Sequence, residues 1–266
     1  MRLFWAIAGV EARKRMSYRA DFWINAVVGF VAELGVAWFI VLAMFSGVDR
    51  MGDYSRNGML LYYVAVILAA RVVRSADMDW AIADEIYQGT LSRYLLYPAN
   101  YGLLKYATQI GALLPAFIQV VLFGAWVPFV LGIPEGIRIT PATAAMCLGA
   151  LAVANAVHFM SCLPFQLVAF WADNCWSLLV AHRIIASLLG GLLLPLSLFP
   201  AWSQSALAAL PFKYMFAFPV DVLLGRVSPG EYVVGIAVAI AWCGIFAGIS
   251  AAVWRRGTLQ YTGVGM

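Results

Sequence analysis

Residues 232–254 run for 23 positions without a charged side chain. As a helix this stretch rises about 34 Å, and a bilayer's hydrocarbon core is about 30 Å thick. Residues 106–133 are uncharged over a similar length. In lipid, every backbone N–H and C=O must be paired within the segment, so runs of this kind are helices. Composition agrees: 64% of the chain is hydrophobic, 11% is charged and mean hydropathy is +0.87. A soluble domain is about 45–50% apolar and about 25% charged, and its interior is too small for this much apolar surface. A soluble globular domain, a disordered chain and a secreted disulfide scaffold are thereby excluded.

The remaining charges divide the chain. Residues 1–20 hold Arg13, Lys14, Arg15 and Arg19, with Glu11 and Arg15 spaced to pair on a helix, and read as a helix lying on the membrane surface. Spans follow at about 22–46, 58–76, 104–133, 140–170, 177–199 and 232–254. The second must run on past Ala70 to reach membrane thickness, with Arg71 and Arg74 snorkelling to the interface. Pro195, Pro200 and Pro211 interrupt the apolar stretch after residue 194, which predicts a broken segment, shallow or re-entrant, as far as Pro219. The expected fold is an all-α integral membrane protein: a single domain over 1–266, six transmembrane helices, an N-terminal amphipathic interface helix, and the broken segment between helices five and six. Twelve of the seventeen basic residues fall on the face that carries both ends, which predicts cytoplasmic termini. A net charge of +4 spread this way offers no nucleic-acid surface.

Catalytic signatures are missing from the sequence. It has no G-x-x-x-x-G-K-[ST] phosphate loop, no H-E-x-x-H and no G-x-S-x-G. Cys147, Cys162, Cys175 and Cys243 form no C-x-x-C pair and lie in or beside apolar runs, so they read as small buried hydrophobes. No metal site, no cofactor and no enzymatic activity are expected of this chain. Glu33, near the middle of the first span, is either a functional carboxylate or a paired packing residue. Asn155 and His158 share one face of the fourth span, as a polar packing contact or as the lining of a substrate path. Gly244 and Gly248, with Ala252, form a small-residue stripe suited to close helix packing. In the long polar stretch after span two, Ile86, Tyr87, Leu91, Tyr94 and Leu95 alternate with charges. Gly89 breaks the run, Thr90 is placed to cap the next helix and Pro98 ends it. A short amphipathic helix there suits docking to a partner groove.

Three stretches resemble the permease subunits of the ABC-2 exporter superfamily, in the bacterial branch whose membrane subunits lack a fused ATPase. They are Tyr18-Arg-Ala-Asp-Phe-Trp23, the loop Ile86-Tyr-Gln-Gly-Thr-Leu-Ser-Arg-Tyr-Leu-Leu-Tyr-Pro98, and the outer segment with Leu194-Pro195, Phe199-Pro200, Leu210-Pro-Phe-Lys-Tyr214 and Phe218-Pro219. The resemblance implies an exporting permease of the bacterial inner membrane, and the few fixed charges in the spans suit an amphiphilic or hydrophobic substrate. It implies a second permease, identical or related, and a separate ABC ATPase subunit that holds ATP and magnesium. It also implies that Ile86, Tyr87, Gly89, Thr90, Leu91 and Arg93 contact that ATPase. Glu33, Asn155 and His158 are the candidates for the translocation path. The competing reading is a proton-coupled secondary transporter that uses Glu33.

Overall fold

The computed structural model describes residues 2–17, 19–52, 54–75, 79–132, 137 and 139–261. Helix α1 (Arg2–Ser17) is followed by α2 (Arg19–Met44), a two-residue hairpin of β1 (Arg50–Met51) against β2 (Tyr54–Ser55), and α3 (Arg56–Val73). Two short helices, α4 (Ala81–Tyr87) and α5 (Leu91–Leu95), precede α6 (Tyr101–Leu131) and α7 (Pro141–Leu167). Then come α8 (Trp176–Leu189), α9 (Gln204–Ala209), α10 (Ala217–Leu223) and α11 (Pro229–Gly257). Among the described residues, five helices are long and apolar enough to cross a membrane: α2, α3, α6, α7 and α11. The fold is thus an all-α membrane protein.

The fifth predicted span, 177–199, is shorter as regular helix than expected. α8 stops at Leu189 after 14 residues, about 21 Å of rise. Beyond it the chain turns through single 3-10 turns at Leu196–Leu198, Ala201–Ser203 and Phe212–Tyr214. The prolines fall at these breaks, where their missing N–H and fixed φ cost least. The segment then returns: the amide of Ala217 donates to the carbonyl of Gly190 at 2.9 Å.

Two helix starts on the face opposite α4 and α5 follow from short sequence signals. Thr140 and Thr143 cap each other reciprocally ahead of Pro141, and Ser228 and Glu231 do so ahead of Pro229. α3 runs through the middle of the bundle, with twelve of its residues buried against α2, α6, α7 and α10. α1 crosses α6 where the two backbones nearly touch. A Cβ on Gly111 would lie 2.4 Å from the carbonyl oxygen of Ala8, so only glycine fits there. The N-terminal helix is therefore packed on the bundle rather than resting on lipid alone.

Candidate functional site

The α4–α5 stretch forms two short helices rather than one. Gly89 makes the turn between them at φ +72°, a conformation L side chains rarely adopt. Thr90 does not cap α5, because its backbone is already helical. Its hydroxyl donates instead to the Glu85 carbonyl at 3.4 Å. Ile86 and Leu91 are not surface residues: they are buried in a cluster with Ile82, Phe159, Leu163 and Phe170. An amphipathic pattern says that one side is apolar but not which body covers it, and here the bundle covers it. Tyr87 is partly covered, and Arg93 points outward. The exposed apolar tip is Leu95, Leu96 and Tyr97, with Leu96 86% exposed.

Polar ties hold this loop to the long helices. Glu85 accepts from the Tyr101 hydroxyl at 2.6 Å and pairs with Lys105, whose ammonium lies 4.3 Å from the centre of the Tyr94 ring. The buried Gln166 side chain of α7 accepts from the amide of Ile82 at 2.9 Å, satisfying a donor in the first turn of α4. Lys105 counts in the sequence only among the basic residues of the face that carries both ends, and Gln166 is not singled out there. Each is a polar residue set in an apolar helix near the loop's own end, and that is the signal that could have found them.

A cavity of about 530 Å³ lies between α1, α2, the end of α3 and α6. Its polar walls include Lys14, Arg15, Arg71 and Arg74, while Phe22 and Pro115 supply apolar surface. The two arginines at the end of α3 are each held by a side chain of a neighbouring helix. Arg71 donates to Glu33 at 2.8 Å and lies over Phe30, because a carboxylate on the adjacent helix is within reach. Arg74 donates to Ser187 of α8 at 2.9 Å and stacks on Phe216 of the returning segment. Glu33 thereby gains the partner that its position in an apolar span calls for. Arg15 is held by Glu11 at 3.0 Å and donates to the Ser75 carbonyl at 3.1 Å.

Asn155 is fully buried and donates to the carbonyls of Val72 and Val73, both at 3.1 Å. It closes the last turn of α3, whose carbonyls have no helical partner. His158, one turn on, faces Asp79, Cys162 and the ring of Phe216. Gly244 and Gly248 lie on the exposed face of α11. Among the described residues, nothing comes within 4 Å of where their Cβ atoms would be.

A second cavity, about 740 Å³, opens on the opposite face and is lined by Tyr54, Tyr62, Lys213, Asp221 and Arg226 among others. Burial pushes the Asp221 carboxyl up to about 6, although Arg226 at 3.8 Å and Lys213 pull the other way. Arg226 also stacks on Tyr54.

The profile of proteins described as ABC-2 family transporter protein matches residues 31–265. No curated protein and no solved structure matches the chain.

Proposed function

The chain belongs to the ABC-2 transporter family, and from that premise we propose that it is the permease subunit of an ATP-driven exporter in a bacterial inner membrane, with both termini cytoplasmic. It works beside a second permease, and a separate ATPase subunit binds ATP and magnesium. The observation that carries this reading is the α4–α5 loop. It is an exposed apolar tip, Leu95–Leu96–Tyr97, standing on a base stitched to α6 and α7. A tip this apolar suits a partner's groove, and a base this firmly tied would pass a push from that partner into the spans. The absence of a phosphate loop from the sequence supports an engine in another chain.

The substrate is an amphiphile, and the cavity between α1, α2, α3 and α6 favours one with an anionic head. Four basic side chains and one acidic one, Glu11, line it beside apolar surface, and positive charge is in excess there even with Arg15 paired to Glu11 and Arg71 to Glu33. Residues that merely hold the fold are separable from those that touch the ATPase. Leu96→Asp is expected to abolish co-purification of a P-loop ATPase from native membranes, together with export, at unchanged thermal stability. Leu91→Asp is expected to unfold the loop itself, since Leu91 is buried. Intact ATPase association and export in Leu96→Asp would overturn the docking assignment. Transport that collapses with a protonophore while the ATPase is intact would favour the proton-coupled reading through Glu33.

A further inference from the structure

The sequence alone reads Cys162 as a small buried hydrophobe, but its neighbours are of another kind. Its sulfur lies 3.7 Å from Asp79 Oδ1 and 3.9 Å from His158 Nε2, and those two atoms are 3.8 Å apart. His158 and Cys162 are four apart on one face of α7, while Asp79 comes from the connection between α3 and α4. A fourth donor, His182 Nδ1 of α8, stands 3.7 Å from the same sulfur. His158, Cys162 and His182 are all buried.

The spacing decides what the cluster suits. A normal N–H···O bond is about 2.7–3.2 Å long, so His158 and Asp79 are too far apart to satisfy each other. The nearest point equidistant from the three atoms lies about 2.2 Å from each, close to the lengths of zinc–nitrogen, zinc–oxygen and zinc–sulfur bonds. A water molecule at hydrogen-bonding distance would have to stand well out of that plane. The donor set also fits: imidazole, thiolate and carboxylate are ligands of borderline divalent metals. Binding would release the thiol proton, leaving two anionic ligands to offset a 2+ ion, so a charge would not be buried unpaired.

We propose that Asp79, His158 and Cys162 bind a zinc-class divalent ion, with His182 against the Cys162 sulfur. The ion ties the chain segment entering α4 to the middle of the bundle. The site rests on these side chains alone and stands or falls separately from the exporter reading.

Cobalt(II) titration of the purified full-length chain, stripped with a chelator, tests this. One equivalent is expected to bind with a thiolate-to-cobalt charge-transfer band in the near ultraviolet. Cys162→Ser should remove the band and weaken binding by roughly tenfold or more. Cys175→Ser, which alters a buried thiol outside the cluster, should change neither. If Cys162→Ser fails to fold, His158→Gln supplies the same weakening with the sulfur band shifted rather than lost. Absence of stoichiometric binding, binding without a sulfur band, or a band that survives in Cys162→Ser would overturn the proposal.

Discussion

α3 and α11 are both long and apolar enough to cross a membrane, yet their surroundings are opposites. Of α3, 67% is buried, against 17% of the most apolar stretch of α11. The more apolar of the two is the less buried. In water the order would be reversed. In a bilayer the outside of the bundle must be apolar, while the interior can hold polar groups that find partners there. So α3 carries Tyr62, Tyr63 and Arg71, each bonded to another element. α11 presents Val233, Val234, Ile240, Ile245 and Ile249 to its exterior. Apolarity marks a span here, and polarity within a span marks the centre.

The sharpest way to break this contrast is at the end of α3. Asn155→Leu leaves the Val72 carbonyl without its buried donor, and that of Val73 with Gln109 alone, and should cost about 1–3 kcal/mol, read as a lowered Tm in detergent. A wild-type Tm would show that α3 does not depend on its polar ties. A smaller effect is expected from Asp221, which faces the α3 side of the bundle near Tyr62. Its carboxyl holds its proton more tightly folded than unfolded. The contribution of Asp221 to stability should therefore be fully present below about pH 4, be lost as pH rises towards 6, and stay level above that. Asp221→Asn should flatten the profile over this window, and an unchanged slope would remove Asp221 as its source. The smallest effect belongs to α11. Gly244→Ile with Gly248→Ile should leave stability within about 0.5 kcal/mol of wild type, since among the described residues nothing meets those positions. If the stripe serves a second permease, cross-linked dimer should decline in the same variant. A large loss of Tm would instead place the stripe inside the fold.

The apolar runs located α2, α3, α6, α7 and α11 because a bilayer penalises charge, although Glu33 and Arg71 lie within two of them and the uncharged run after Arg183 is helical only to Leu189. What they could not tell was which neighbour each polar residue would meet. Glu33 and Arg71 are 38 residues apart, and nothing local links them until α2 lies beside α3. The apolar positions 86, 87 and 91 are legible as one face of a loop, but the same pattern serves a face turned outward or inward. Burial of Ile86 and Leu91 shows that the bundle takes it. The exposed residues Leu95, Leu96 and Tyr97 come directly after, where hydrophobicity at a loop tip is itself the clue. Asn155 and His158 share a face, as their spacing predicts, while their different partners, a helix end and a cluster with Cys162, depend on the packing of α3 and α8. The His-x-x-x-Cys spacing is visible in the sequence, but a search limited to Cys-x-x-Cys passes over it.

The bond from Ala217 to Gly190 closes the broken segment at its base, with Trp202 at 82% exposure near its far end. The stretch is also tied to the spans along its length: the Tyr62 and Tyr63 hydroxyls of α3 donate to the carbonyls of Gly191 and Leu193, and the Trp242 indole of α11 donates to that of Ala209. A reporter dye placed at its exposed tryptophan would therefore read rearrangements of α3 and α11 from outside the bundle.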